Sequence, residues 1–321
     1  DKIERMMKAR KIYIAICVAL MTLVSCHKEE LFYGPRNVQI RAYMQQHVQQ
    51  TRAYEPLDTA YEAFTAGAIV EMGDKHTHTT LTWDGTALQS NMQLEEGSYW
   101  LYAYMPWNEN ATLYRQQLSI PGINGLGNQD LLVAKAEQVV VDNTDAQVNV
   151  SIYMDHLMAK VTPRFYLDEK YAEIRSIEIV KVEMLLPQAS TYTAHVAYLP
   201  TSGTYSVSWS EQWGKTDAAI VFDASSAPQL LPTTKAKAVA MGGGYVCPSQ
   251  QTGDLSLAVT YNVYDTKGEL TRANARAENS IIRLGNTLEA GKNYNLYIKV
   301  VPSYLYVLSD NDMESSFVIL N

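Results

Sequence analysis

Disulfide bonds do not hold this chain together. Its 321 residues include three cysteines, Cys17, Cys26 and Cys247. Cys17 lies inside an apolar N-terminal run, Cys26 directly after it, and Cys247 alone far downstream. With Cys17 lost in a leader and Cys26 modified, no intrachain pair remains, so the fold has to rest on its cores. Positive charge is also in deficit. Lysine and arginine total 26 against 34 acidic residues, a net charge of −8, so no global field draws the chain to phosphate backbones and nucleic acid is excluded as a partner. The apolar run at residues 12–24 is thirteen long, short of the about twenty residues that cross a hydrocarbon core. Motifs of catalysis are missing as well. No G-x-S-x-G elbow occurs, the glycine-rich stretch 122–127 lacks the Lys-Ser/Thr of a phosphate loop, and the scattered carboxylates give no glycosidase pair. The expectation is a protein without enzyme activity, cofactor or metal.

What is present reads as β-structure. Hydrophobic residues make up 47% and charged residues 19% of the chain, the composition of a folded protein rather than a disordered one. Tyrosine is abundant at 22 residues, alongside many Val and Thr, a mixture that favours strands. From Val38 onward apolar and polar residues alternate: Val38, Ile40, Ala42 and Met44 share one face of a first strand, and 68–71, 80–83, 139–141 and 148–153 read as further short strands. Asp84-Gly85, the loop 122–127, Ser202-Gly203 and Lys267-Gly268 punctuate them as turns. A helix of a turn or two is expected within 167–173. The length suggests two domains of about 150 residues, and an internal echo supports this: Leu94-Glu95-Glu96-Gly97-Ser98-Tyr99-Trp100-Leu101-Tyr102 is matched, with one insertion, from Leu288-Glu289-Ala290-Gly291 to Tyr297. The expected fold is all-β, with two tandem β-sandwich domains at 37–158 and 159–321.

The first residues read as an address. Lys8, Arg10 and Lys11 precede the apolar run, which ends abruptly in Ser25, Cys26, His27, Lys28, Glu29 and Glu30, the pattern of a cleaved signal peptide at 1–25. Residues 1–5 precede Met6 and Met7 and read as spurious. Leu23-Val24-Ser25-Cys26 resembles the bacterial lipobox, which makes Cys26 the acylated N-terminus of a mature lipoprotein held to outer-membrane lipid, with 26–36 as its linker. Loss of residues 1–25 removes five basic and two acidic groups and leaves a net charge of −11. Lys28-Glu29-Glu30 resembles the export signal of surface-exposed lipoproteins in Bacteroidetes.

Several side chains invite a chemical reading. His76 and His78 lie two apart on one strand face, too few for a zinc site even with Glu71 and Asp74 nearby, and read as a solvated hairpin tip. In Asp155-His156 the neighbours point to opposite faces, so they make no dyad. Cys247, beside Pro248 and far from any histidine in sequence, reads as a buried structural thiol.

Together these segments resemble the fimbrillins, the fimbrial subunit superfamily of Bacteroidetes. The matching pieces are the lipobox through Cys26, the strand 38–44 leading to Thr51-Arg52-Ala53, residues 94–106, Asp130-Leu131-Leu132-Val133-Ala134, residues 148–161 around His156, and 288–310. The resemblance implies transthyretin-like sandwiches, lipoprotein export to the cell surface, and an Arg-specific surface protease that removes the first strand. Arg52-Ala53 is the expected cut, because Arg36 and Arg41 lie before or within the strand. The groove left behind is expected to accept a strand from another fimbrial subunit. The candidate donor is the C-terminal segment of Phe317, Val318, Ile319 and Leu320. Three readings stay open: a fimbrial structural subunit; a tip adhesin or anchor that keeps its first strand and, as an adhesin, meets a host or bacterial receptor through Tyr99, Trp100, Tyr102 and Trp107; and a glycan-capture lipoprotein stacking sugars on Trp83, Trp209 and Trp213.

Overall fold

The computed structural model describes residues 34–45, 54–56, 65–83, 88–144, 146–250, 252–284, 288–301 and 304–309. The first half of the chain forms β1 (Arg36–Gln45), β2 (Tyr54–Pro56), β3 (Thr65–Met72), β4 (Lys75–Trp83), β5 (Leu88–Ser90), β6 (Gln93–Leu94), β7 (Gly97–Met105), β8 (Thr112–Tyr114), β9 (Gln117–Asn124), β10 (Leu126–Gly127), β11 (Leu132–Ala134), β12 (Glu137–Val141) and β13 (Gln147–His156). After Leu157 and Met158 follow β14 (Ala159–Leu167), the one-turn helix α1 (Glu169–Ala172), β15 (Arg175–Leu199), β16 (Thr204–Asp223), β17 (Gln229–Leu230), β18 (Val239–Ala240), β19 (Gly244–Val246), β20 (Asp254–Asp265), β21 (Leu270–Arg283), β22 (Asn293–Val301) and β23 (Tyr304–Ser309). The protein is therefore nearly all β. Helix α1 falls where Asp168 can cap it, accepting the backbone N–H groups of Lys170 and Tyr171.

Three sheets organise these strands. In the first, the order is β11-β13-β1-β5-β4-β3-β7-β12, with β2 and β6 also on β1. Because β11 bonds to β7 as well as to β13, the sheet closes on itself like a barrel. The second runs β10-β19-β14-β22-β23 with β18 on β14, and the third runs β21-β20-β15-β9-β8 with β16 and β17 on β15. Among the described strands all pairings are antiparallel except two: β1 lies parallel to β13, and β14 lies parallel to β22.

The cores follow from alternation. Val38, Ile40 and Ala42 of β1 and Val148, Val150, Ile152 and Met154 of β13 point into the barrel with Leu81, Trp83 and Leu101. Between the second and third sheets, Phe165, Ile179, Val182, Met184, Leu257 and Ile298 form another core. A third core joins the two halves. Ile69, Tyr102 and Tyr104 on the outer face of the barrel pack against Leu118, Ile120, Tyr192, Val196 and Tyr198 of β9 and β15. Gly67 makes this possible, since a Cβ there would fall 2.2 Å from the Tyr104 ring.

Several local expectations change. The glycine-rich stretch 122–127 is not a loop but the end of β9 and all of β10. Pro121 and Gly122, with φ +77° at Gly122, sit at a register shift between β9 and β15, where a bulge tolerates both residues. Arg36 is the first residue of β1, opposite Leu94, rather than preceding the strand. The internal echo does not mark equivalent positions: β7 has only antiparallel partners, whereas β22 lies parallel to β14. The shared pattern is turn chemistry, with a buried leucine before each turn, Leu94 and Leu288, and a glycine at φ +74° in the second, Gly291. Asp84-Gly85 lies outside the described residues.

Candidate functional site

The expected first strand corresponds to β1, and its surroundings follow from the residues. On one side β1 runs parallel to β13 from Asn37 opposite Gln147 to Met44 opposite Met154. On its other side it meets three short antiparallel pieces: Arg36 and Asn37 against β6, Ile40 against Leu88 of β5, and Tyr43, Met44 and Gln45 against β2. One neighbour is thus a continuous ladder and the other is discontinuous.

Side chains hold the strand on both faces. Inward, Val38, Ile40 and Ala42 are 4%, 0% and 7% exposed; burying a Val or Ile side chain fully contributes about 1.5–3 kcal/mol. Outward, the Gln147 Nε2 donates to Gln39 Oε1 at 3.0 Å, Gln93 Nε2 donates to Asn37 Oδ1 at 3.2 Å, and the Tyr43 and Tyr153 rings stack with centroids 5.1 Å apart. The Ser90 hydroxyl donates to the Val38 carbonyl at 3.0 Å. The buried Arg36 donates to the carbonyls of Gly34 and Asn143.

The chain leaves β1 at Gln45, whose Cα partner is Tyr54 of β2, so residues 46–53 are the connection between two paired strands. The cut expected at Arg52 and Ala53 falls in this connection and lies outside the described residues. So do Cys26 and the donor residues Phe317, Val318, Ile319 and Leu320; of Met44 the backbone alone is described. Downstream, β23 pairs with β22 from Tyr304 opposite Val301 to Ser309 opposite Leu296.

Among the described residues, the aromatic candidates do not assemble into a platform. Tyr99 and Tyr102 are buried on opposite faces of β7, in the barrel core and in the junction core. Trp83 is 2% exposed inside the barrel, so it is unavailable to stack a sugar. Trp209 lies on strand β16 rather than in a loop, packs against the junction core and meets Tyr192 edge-on at 6.4 Å. The Trp213 side chain is outside the described set.

The histidines take separate partners. His78 Nε2 lies 2.6 Å from the Tyr104 hydroxyl and its ring 4.5 Å from that of Trp107; partial loss of hydration holds its imidazole below the usual value. It stays exposed on β4, as expected, while its ring is engaged by these aromatics. His76 instead approaches Glu71 at 3.8 Å, whose other oxygen accepts the Tyr102 hydroxyl at 2.8 Å. Asp155 and His156 point apart as expected. Asp155 accepts the Tyr205 hydroxyl at 2.7 Å, while His156 Nδ1 bonds to the carboxylate of Asp130 in a pair that is almost wholly buried. That pair ties the residues before β11 to the end of β13. Both partners are visible in the sequence, but nothing in it couples them across 26 positions. Cys247 is buried in the junction core, and burial pushes its thiol up to about 12, which keeps it neutral and unreactive.

A fimbrillin-like family model matches residues 39–317. The chain belongs to the fimbrillin-like family. The matched span starts inside β1 and extends beyond β23. No curated protein matches the chain. Among solved structures, a cell-adhesion candidate from Bacteroides uniformis ATCC 8492 is similar at 16% identity and TM-score 0.47, over 86% of this chain and 96% of that one. A fimbrial protein from Bacteroides vulgatus ATCC 8482 gives 13% identity and TM-score 0.41, over 85% and 98%. The fimbrial anchor protein Mfa2 from Porphyromonas gingivalis gives 10% identity and TM-score 0.34, over 90% and 98%. The family is a fimbrial one, structural rather than catalytic.

Proposed function

We propose that this fimbrillin-like chain is a fimbrial subunit or fimbria-associated adhesion protein of the cell surface, built from two transthyretin-like sandwich domains at 37–158 and 159–321. It is exported as a lipoprotein acylated at Cys26 and assembles with other subunits by strand exchange. An Arg-specific protease cuts between Arg52 and Ala53, β1 leaves, and the groove takes a strand from a neighbour, with the segment of Phe317, Val318, Ile319 and Leu320 as the donor.

The observation that carries this reading is the placement of β1. It closes the barrel between β13 and the short strands β2, β5 and β6, and it is the first of the described strands, followed in the chain by β2. Departure of β1 exposes the β13 edge and uncovers the core positions of Val38, Ile40 and Ala42. A row of unpaired backbone groups beside an apolar slot is the template for strand addition. A head-to-tail contact of this kind does not close on itself and gives a filament.

The test is proteolysis of the purified chain with an Arg-specific protease. The expected product starts at Ala53 and forms ladders on an unboiled denaturing gel, while Arg52→Ala remains monomeric. Ladders from the uncut Arg52→Ala chain, or a monomeric product after complete cleavage, contradict the reading. An anchor that keeps its strand and lipid is the second reading, favoured by the number of side-chain ties on the outer face of β1, from Asn37–Gln93 to Tyr43–Tyr153.

A further inference from the structure

Away from β1, an open cleft of about 450 Å³ lies where β15 passes from β20 to β9. Its volume falls within the range of small-molecule sites, about 300–1,000 Å³. Two irregularities shape it. Strand β15 shifts register against β16 between Leu186 and Thr191, with Gln188 at φ +52° and Gly214 of β16 at φ +112°. Gln188 is held in this costly conformation by its N–H, which donates to Asp217 Oδ1 at 3.1 Å. Behind the lining residue Ser190, Gly125 donates its N–H to the Ser190 carbonyl at 2.8 Å and passes so close to Gln250 that a Cβ would lie 2.3 Å from its Oε1, an oxygen that accepts the Ser190 N–H at 3.0 Å. Strained backbone and bulges of this kind concentrate at ligand sites.

The lining chemistry selects the ligand. Asn124, Asn128 and Thr216, all exposed, and the half-buried Thr191 line the cleft, and among the described residues none of these side chains hydrogen-bonds to protein, so water is what a ligand would displace from them. They offer amide and hydroxyl donors and acceptors beside the carboxylate of Asp217, over an apolar floor of Leu126 and Ile220. No lysine or arginine lines the cleft, which disfavours phosphates and other anions. No aromatic ring lines it either, which disfavours flat heterocycles. Amides, hydroxyls and one carboxylate around a small apolar patch match a molecule with hydroxyls on its edge and C–H groups on its face.

We infer that this cleft binds a neutral saccharide unit, giving the protein a glycan contact separate from the β1 groove. The site needs neither cleavage nor assembly and stands apart from the strand-exchange reading.

The test is saturation-transfer NMR on the purified chain with glucose, galactose, mannose and N-acetylglucosamine at millimolar concentration, with glucuronate and glucosamine as charged probes. The variant is Asn128→Ala/Thr216→Val, which removes two side chains without intramolecular partners; its circular dichroism melt should match the parent's. Transfer to at least one neutral sugar, weakened about tenfold in the variant, is expected from the loss of two hydrogen bonds. Three results each overturn the inference: no transfer to any neutral sugar, transfer that the well-folded variant leaves unchanged, and binding restricted to a charged probe. Should the variant melt differently, Asn124→Ala takes its place under the same criteria.

Discussion

Truncation of Ile40 to alanine tests whether β1 is an integral part of the barrel. Ile40 is 0% exposed, sits opposite Val150 of β13 and Leu88 of β5, and packs in the barrel core. Removing its outer carbons loses their transfer free energy and leaves a void that strands bonded on both sides cannot collapse into. Isoleucine-to-alanine changes at such sites cost about 2–5 kcal/mol, and about 3 kcal/mol is expected here. In a thermal melt this corresponds to a fall in Tm of about 6–12 °C. Arg41 is the control: it lies next along the same strand but faces solvent, so Arg41→Ala should stay within about 0.5 kcal/mol of the parent. Urea unfolding of the uncut chain, followed by circular dichroism, reads both. An Ile40→Ala cost below about 1 kcal/mol, or one equal to that of Arg41→Ala, would refute the assignment of β1 as a core strand.

Other consequences are equally direct. Gly67→Ala drives a Cβ into the Tyr104 ring and should cost about 1–3 kcal/mol, read by urea unfolding. His156→Ala leaves the buried Asp130 carboxylate without its histidine partner; a loss of at least about 1–3 kcal/mol is expected, again by urea unfolding. Cys247, its thiol pushed up to about 12, should resist iodoacetamide at pH 8 in the folded chain and react once the chain is unfolded in urea, as mass spectrometry would show. Asp168, held below the usual carboxylate range chiefly by its hydrogen bond to Lys299, contributes stability that is complete at neutral pH. That contribution is lost as pH falls through its lowered value. Asp168→Asn should therefore shrink the difference in Tm between pH 7 and acid.

The sequence disclosed the strands that alternate and concealed the contacts between them. The first strand could be read because Val38, Ile40 and Ala42 bury one face while Gln39, Arg41 and Tyr43 face out. Strand β11 does not alternate at all: Leu132, Val133 and Ala134 are all buried, because one face meets the barrel core and the other the junction core. The long ribbon of β15 and β16 did leave a signal, the alternation of Ile177, Ile179, Val182 and Met184 and of Tyr205, Val207 and Trp209, that a search for short strands passes over. Gly122 looked like a loop residue because glycine serves bulges as well as turns. Closure of the barrel through β11 and β7, the Asp130–His156 pair and the cleft beside Asp217 depend on which strands become neighbours, and a linear pattern does not encode that.

The proposed assembly depends on removal of β1. Intact mass and N-terminal sequencing of the protein recovered from the cell surface read that step without any reconstitution. A chain starting at Ala53 is the predicted result. A chain that starts at acylated Cys26 in the assembled, surface-exposed form contradicts strand removal and leaves β1 a permanent part of the barrel.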